Sequence, residues 1–171
     1  MALLRSDSYL RGIKLLRNKI DSFSEYPFSL PAFHELDFLE LHPRVTFIVG
    51  ENGTGKSTLL EAIAIACGFN PEGGTRNFNF STRDSHSTLY DYIRLVRGIR
   101  KPKSGFFLRA ETFYNLATEI DEIGVSQFYG GRSLHEQSHG ESFFATFMNR
   151  FKGNGLYILD EPEAALSPMR Q

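Results

Sequence analysis

The length, composition and charge of this chain exclude several classes of protein. It has 171 residues, 41% hydrophobic and 23% charged, which fits one globular domain with its own core. A net charge of −1 gives no indication of a nucleic-acid partner, and a single cysteine, Cys67, excludes an internal disulfide and fits a reducing, cytoplasmic setting with the thiol in the core. No apolar run is long enough to cross a bilayer and the first residues lack a signal-peptide core, so direct membrane insertion is not expected.

Two short strands are predicted near the start of the chain. Residues 9–16 partly alternate between polar and apolar side chains, which places Arg11 and Lys14 on an exposed face. Residues 38–41 form a second short run ahead of a proline. We therefore expect residues 1–44 to form antiparallel strands.

The segment VTFIVGENGTGKST, at residues 45–58, carries the strongest local signal in the chain. Its first five residues are β-branched or aromatic, which predicts a strand buried on both faces. Four residues separate Gly50 from Gly55, and Lys56 and Ser57 follow at once, so the pattern G-x-x-x-x-G-K-[ST] is complete. This pattern predicts a loop that binds nucleotide phosphates.

Each part of the loop has a predicted role in phosphate binding. Gly53 and Gly55 lack a Cβ, so the loop can adopt positive φ and turn its backbone N–H groups toward phosphate oxygens. Lys56 is expected to reach the β- and γ-phosphates, and the hydroxyl of Ser57 to ligate the accompanying Mg²⁺. The predicted nucleotide-binding residues of this segment are Gly50, Glu51, Asn52, Gly53, Thr54, Gly55, Lys56, Ser57 and Thr58.

A helix is predicted directly after the loop. Residues 57–67 are rich in Leu and Ala, and Gly68 is a suitable residue to end the helix. A chance match of a glycine-rich turn is disfavoured because strand, loop and helix follow in the required order. For the nucleotide base, Tyr26 or Phe28 could stack on an adenine ring, although packing in a phenylalanine-rich core is the favoured role of either residue.

The middle of the chain has weaker signals. Residues 70–86 are polar and rich in Gly, Ser, Thr and Asn, which predicts a long surface loop. Residues 90–98 fit a short helix, and the basic run at residues 94–103 fits a solvated face better than a contact with a polyanion. Residues 105–111 begin as a strand and end on charges, a pattern typical of a core strand whose C-terminal end opens into a site.

A second strong signal lies near the end of the sequence. The run LYIL at residues 156–159 predicts a strand that ends in Asp160 and Glu161. Adjacent strand residues point to opposite faces, so we expect Asp160 to bind the Mg²⁺ shell and Glu161 to orient or deprotonate the water that attacks the γ-phosphate. Pro162 prevents the strand from continuing, and a helix N-cap is the structural alternative for Glu163.

Together, GENGTGKST and LYILDEPEAALSP resemble two motifs of the ABC-type ATPases, and the chain is most similar to stand-alone predicted ATPases of that superfamily. The resemblance runs from about residue 45 to the end. It implies an α/β fold of the P-loop NTPase type, with a mixed sheet, N-terminal antiparallel strands and a reduced helical subdomain. It also implies one domain, with a nucleotide-binding core at residues 45–171.

The family carries a further signature, LSGGQ, just before a helix. Here QSHGE at residues 137–141 precedes an apolar-periodic stretch at residues 142–151, and it differs from the signature at three of five positions while retaining Ser138 and Gly140. In the family this signature contacts ATP bound to the other subunit. The resemblance therefore implies that Ser138 and Gly140 bind nucleotide across an ATP-dependent, head-to-tail homodimer.

Glu111 lies where the family has the glutamine of its Q-loop, near the Mg²⁺. A carboxylate is a suitable ligand for a hard cation, so the resemblance implies a third metal ligand beside Ser57 and Asp160. A surface salt bridge between Glu111 and either Arg109 or Arg132 is the alternative.

The last residues are expected to limit activity. Residues 164–168 resemble the D-loop of the family, which continues through a helix and a strand to a histidine that contacts the γ-phosphate. All five histidines of this sequence precede Asp160, so that histidine has no counterpart. We therefore expect these 171 residues by themselves to bind ATP–Mg²⁺ weakly and to hydrolyse it slowly.

The sequence thus predicts an ATPase that uses ATP and Mg²⁺, dimerises on ATP and acts as a switch on an unidentified protein partner. A transporter subunit is disfavoured because only about twenty-five residues, room for one short helix, separate Glu111 from QSHGE. The absence of a heptad repeat argues against a long coiled-coil arm. A nucleotide-sensing module without turnover is the remaining alternative, and the choice between ATP and GTP stays open because no guanine-specific Asn-Lys-x-Asp occurs.

Overall fold

A computed structural model describes residues 8–77 and 86–165 of the chain. The described residues of Met1–Cys67 and Ser85–Pro102 form one compact unit, and those of Gly68–Asp84 and Lys103–Gln171 form a second. The strands and α-helices of the described part are, in order, β1 Leu10–Leu15, α1 Pro31–His34, β2 Phe38–Glu40, α2 Lys56–Ala66, β3 Ile93–Arg97, β4 Ser104–Arg109, α3 Phe113–Glu122, α4 His139–Arg150 and β5 Gly155–Asp160. Among these helices, none is both long and apolar enough to span a bilayer.

The first unit contains a three-stranded antiparallel sheet with β1 at its centre. Ile13 of β1 lies opposite Leu39 of β2 and Leu95 of β3, and its side chain is fully buried. Arg11 and Lys14 are exposed, as the alternation in the sequence predicted. The two strands expected within residues 1–44 are therefore confirmed, with antiparallel pairing between them.

The helix predicted for residues 90–98 is wrong. The chain forms a short 3₁₀ turn, Thr88–Tyr92, and then enters β3, where Ile93 pairs with Leu15 and is buried. Alternating Ile93 and Leu95 also fits a strand, and the edge of β1 supplies the hydrogen-bond partners that decide between the two patterns. The cationic side chains of residues 94–103 are exposed, namely Arg94, Arg97, Arg100, Lys101 and Lys103.

The buried strand predicted for residues 45–49 is also not observed. Phe47 and Val49 are about as exposed as side chains can be, at 85% and 86%, and the segment forms no ladder with any described strand. Strand propensity acts only where a partner supplies the backbone hydrogen bonds. As a result, the described strands form two separate small sheets in place of the expected mixed sheet.

The helix after the glycine-rich loop agrees with its prediction. It spans Lys56–Ala66, Cys67 follows it as a buried residue, and Gly68 ends it with a left-handed φ of 86°. The guanidinium of Arg97 donates a 3.1 Å hydrogen bond to the carbonyl of Ala66, at the negative end of the helix. These contacts anchor α2 within its own unit.

The second unit is built on the parallel pair β4 and β5. Their register places Phe107 opposite Ile158 and Arg109 opposite Asp160, so the two strands end at the same level. The buried residues of α3 are apolar and spaced three and four apart, so they form a stripe along one side of the helix. This stripe and Phe143 of α4 belong to one core. The buried residues of this core are Phe106, Leu108, Phe113, Leu116, Ala117, Ile120, Tyr129, Leu134 and Phe143.

Residues 70–86 are not simply a surface loop. Residues 78–85 lie outside the described part, but Glu72 and Gly74 are buried. Gly74 exchanges two hydrogen bonds, of 2.8 and 2.9 Å, with Phe107 and so covers the edge of β4. Gly73 is required there, since its φ is 111° and a Cβ would lie 3.1 Å from the carbonyl of Phe107.

The helical content between Glu111 and Ser138 matches the prediction of one short helix. α3 is the α-helix of this interval, and the remainder contains 3₁₀ turns at Ser126–Tyr129 and Leu134–Glu136. The next helix, α4, starts at His139, three residues before its predicted start at residue 142.

The most completely buried phenol of the second unit is Tyr129, which is 1% exposed. No described residue offers its hydroxyl a hydrogen bond. Burial raises the pKa of Tyr129 from 10.0 to about 12, and the nearby Arg150 cation partly opposes that rise. Because the phenolate is disfavoured only in the folded chain, ionisation of this group does not change the free energy of unfolding below pH 10 and lowers it as the pH rises toward 12.

The substitution Tyr129→Phe should therefore stabilise the fold by about 1 kcal/mol at neutral pH, since it removes a buried hydroxyl that has no partner among the described residues. It should also remove a loss of about 2 kcal/mol expected in the parent between pH 10 and pH 12. Urea unfolding at both ends of the pH range measures these free energies. Tyr114→Phe, at an exposed position of α3, is the matched control, and equal alkaline losses in the parent and Tyr129→Phe would contradict the assignment.

Candidate functional site

The glycine-rich loop has the backbone conformation that its sequence predicted. Gly53 and Gly55 both have positive φ, at 77° and 104°. At Gly55 there is a second reason for glycine, because a Cβ would lie 3.2 Å from the ring of Phe33 and 3.3 Å from the side chain of Leu30. Gly55 therefore meets both a conformational and a packing requirement, whereas Gly53 meets only the first.

Helix α1 supports this loop from one side. The backbone N–H of Ala32 donates a 3.0 Å hydrogen bond to the carbonyl of Thr54, and the hydroxyl of Thr54 donates one of 2.8 Å to the carbonyl of Glu51. The loop is thus closed on itself and held against α1. Such support preorganises a binding loop, because less conformational entropy is lost when a ligand arrives.

Lys56 points back into the loop that precedes it. Its Nζ donates hydrogen bonds of 2.9 and 2.7 Å to the carbonyls of Gly50 and Glu51. The ammonium group can donate three hydrogen bonds, so these two contacts leave it able to reach an anion as well. A full positive charge is therefore placed at the mouth of the loop.

The N-terminus of α2 completes an anion-binding arrangement. Gly55 is its N-cap and, as a glycine, has no side chain with which to cap it. The first backbone N–H groups of a helix lack intrahelical partners and carry partial positive charge. Ser57 and Thr58 lie half-buried in this first turn. Positive-φ glycines, an uncapped helix start and the Lys56 ammonium together fit the phosphate groups of a nucleotide.

The C-terminal ends of β4 and β5 bring together residues that lie far apart in sequence. The Nε of Arg109 lies 3.5 Å from an oxygen of Asp160, and its Nη2 lies 3.0 Å from an oxygen of Glu111. The side chains are 17%, 6% and 77% exposed for Arg109, Asp160 and Glu111 respectively. Of the two predicted partners of Glu111, the structure thus shows Arg109 and not Arg132. The contact between Arg109 and Asp160 was not predicted, since it depends on the strand register.

Glu161 differs from Asp160 in position and in backbone conformation. β5 ends at Asp160, and Glu161 has a φ of 50°, in the left-handed region. The two side chains do diverge, one buried and one exposed, but because the chain turns and not because the strand continues. A non-glycine residue in this region costs of order 1 kcal/mol and is frequent at functional sites. Glu163 lies inside the 3₁₀ turn Pro162–Ala165 and is therefore not its N-cap.

Ser138 is the N-cap of α4 and forms a capping box with Glu141. The hydroxyl and the backbone N–H of Ser138 donate hydrogen bonds of 2.6 and 3.0 Å to the Glu141 carboxylate, and the N–H of Glu141 lies 3.4 Å from the Ser138 hydroxyl. Gly140 lies in the first turn. A carboxylate of the chain itself thus occupies the positive end of α4, unlike the uncapped start of α2.

The two aromatic residues considered for the nucleotide base differ in environment. Phe28 is buried and packs edge-on against Tyr92 at a centroid distance of 4.8 Å, which is a core contact. Tyr26 is exposed. Of the two, only Tyr26 presents a ring to solvent.

Of the comparisons with known proteins, the one with family models gave a match. A family model described as AAA domain matches residues 20–139. Searches of curated proteins and of solved structures each found no match. The matched range holds the glycine-rich loop, α2 and Glu111, and it ends before Asp160. Because this match spans more than half of the sequence, the chain belongs to the AAA-domain family.

Proposed function

We propose that this chain binds ATP together with Mg²⁺ and hydrolyses the γ-phosphate bond, as an ATPase of the ABC type. The observation that carries the proposal is the loop at residues 50–55. It combines positive-φ glycines, a helix start without a side-chain cap, and the Lys56 ammonium, which donates hydrogen bonds to two carbonyls of the loop. AAA-domain membership supports nucleotide binding and ATPase activity in general terms. The ABC type rests on the resemblance of the two motifs and of their order.

In this proposal the chain divides its work among three groups of residues. Lys56 and the backbone N–H groups of the loop hold the phosphates, while Glu161 orients the attacking water and accepts its proton. Mg²⁺, when bound, neutralises charge on the β- and γ-phosphate oxygens. Carboxylate and hydroxyl oxygens suit this hard cation, and the residues proposed to hold it are Ser57, Asp160 and Glu111.

The finer part of the proposal is an ATP-dependent homodimer that acts as a switch on a protein partner in the cytoplasm. Ser138 and Gly140 of one copy would approach the nucleotide of the other. The capping box matters here, because Glu141 already fills the helix end that a γ-phosphate would approach. Dimerisation on ATP then requires that Glu141 move away from Ser138 or share its donors.

Two alternatives are separated from this reading by specific features. A transporter subunit is less well supported because α3 is the sole α-helix between Glu111 and Ser138 in a fully described interval. A nucleotide-sensing module is harder to distinguish from the proposed ATPase, since it would need the same loop and would differ only in the rate of hydrolysis. The substrate assay therefore has to measure binding and hydrolysis separately.

The experiment is a calorimetric titration of the chain with ATP and with GTP in Mg²⁺, followed by a steady-state phosphate-release assay. Binding with release supports the ATPase, and binding without release supports the sensing module. Absence of binding to either nucleotide would overturn the proposal. Light scattering in the presence of ATP reports dimerisation on the same samples. A molecular mass that stays monomeric at saturating ATP would contradict the proposed ATP-dependent dimer.

A further inference from the structure

The ends of β4 and β5 carry a bridge of one guanidinium between two carboxylates, which we call the Arg109 bridge. Arg109 contacts Asp160 through Nε and Glu111 through Nη2, at 3.5 and 3.0 Å. Both carboxylates belong to the proposed Mg²⁺ ligand set. A permanent cation of the chain itself therefore lies beside the groups proposed to hold a divalent cation.

The register of the sheet accounts for this placement. Arg109 and Asp160 are direct partners in the parallel pair, so their side chains leave the same face at the end of the two strands. Asp160 is almost fully buried, and a buried carboxylate needs a compensating charge to remain ionised. Arg109 supplies it, and its planar fork also reaches the exposed Glu111.

We propose that Arg109 is a positioning residue that occupies the cation position at Asp160 and Glu111 until nucleotide arrives, so that a divalent cation binds this end of the sheet only together with phosphate. The proposal rests on the proposed function for the identity of the ligand set. It adds a form of regulation that the sequence motifs do not indicate, namely that the chain excludes free Mg²⁺ from these two carboxylates when no nucleotide is bound.

The physical argument is one of competing charges. A guanidinium stays protonated at any ordinary pH, so it opposes the approach of a second cation whenever it contacts Asp160. The phosphates of ATP add several negative charges, which offset that repulsion and offer Arg109 acceptors of the same geometry as a carboxylate. Without Arg109, the carboxylates of Asp160, at the end of β5, and of Glu111, just beyond β4, would present the oxygen ligands that a hard cation prefers.

The test is a titration of the nucleotide-free full chain with Mn²⁺, followed by the paramagnetic resonance signal of the free ion. The parent should bind Mn²⁺ with a Kd weaker than about 1 mM. Arg109→Gln should bind it about tenfold more tightly or better, because it removes one positive charge beside the two carboxylates. Arg109→Lys, which keeps the charge, should remain close to the parent, and this rescue separates the charge from a structural role of the side chain.

Two further variants make the outcome specific. Lys103→Gln removes one exposed positive charge just before the opposite end of β4 and should leave Mn²⁺ binding unchanged. Asp160→Asn combined with Arg109→Gln should lose the gained affinity, because the buried carboxylate is gone. Circular dichroism confirms that each variant is folded.

Two results would overturn the inference. The first is an Arg109→Gln variant, shown to be folded, that binds Mn²⁺ no better than the parent. The second needs no Arg109 variant: a parent that binds Mn²⁺ tightly without nucleotide, and loses this binding on Asp160→Asn, would show that Arg109 does not exclude the cation. Neither measurement contains ATP, so failure of the nucleotide titration would count against the proposed function and the release by phosphate, and not against the exclusion of free cation by Arg109.

Discussion

The substitution Lys56→Ala should abolish ATP binding or weaken it by about a hundredfold or more, since a charge-assisted contact of this kind contributes up to about 3 kcal/mol. Two losses combine in this variant. The Lys56 ammonium is the side-chain cation proposed to attract the phosphates. It also donates hydrogen bonds to the carbonyls of Gly50 and Glu51 and so links these two residues of the loop. Alanine removes both the attraction for phosphate and the clamp on the loop. Calorimetry with ATP and Mg²⁺ measures the affinity.

A matched control keeps the charge change but spares the loop. Lys14→Ala removes an equal charge from an exposed position of β1 in the same unit and should leave the affinity within about twofold. Thermal unfolding of both variants shows whether the fold is retained. If a folded Lys56→Ala variant bound ATP with unchanged affinity, this loop would not be the phosphate-binding site.

The substitution Glu161→Gln should leave ATP binding intact and slow hydrolysis by about 100- to 10,000-fold. Glutamine has nearly the same shape, so it retains the left-handed backbone at this position with similar strain, and only the charge and the basicity are lost. The side chain is exposed, so the fold does not depend on its charge. Affinity and rate therefore separate in this variant, which identifies a role in the chemical step.

Single-turnover release of phosphate at saturating ATP measures this rate independently of product dissociation. Glu163→Gln, two residues further on in the 3₁₀ turn, makes the same chemical change at an exposed neighbouring position and should hydrolyse at the parent rate. If Glu161→Gln also turned over at the parent rate, the base would have to be sought elsewhere. A fall in both variants would instead indicate a general effect of charge on this turn.

Much of the candidate site could be predicted because its signals are local. Glycines that need positive φ, a lysine at the first helical position and a helix closed by Gly68 are all decided within a few residues of chain. The alternation of β1 is of the same kind. Sequence alone therefore located the glycine-rich loop, α2 and the strand that leads to Asp160.

Other expectations failed because they depended on neighbouring strands, which the strand propensity of a segment does not specify. Residues 45–49 are excellent strand formers but remain exposed, whereas β3 forms a strand because β1 offers it an edge. The buried position of residues 72–74 has the same origin, since the edge of β4 gives Gly74 its hydrogen bonds. In each of these places the presence or absence of a partner distant in sequence decides the local structure.

The sequence by itself determined the glycine-rich loop, the helix that follows it and the carboxylates at the end of β5, because each is encoded by neighbouring residues. The Ser138–Glu141 capping box of α4 is likewise a local pattern, since its two residues lie three positions apart. Only the tertiary structure decided how Asp160 is engaged. It contacts Arg109 because two strands more than forty residues apart end in register, and residue types along a chain do not specify such distances in space.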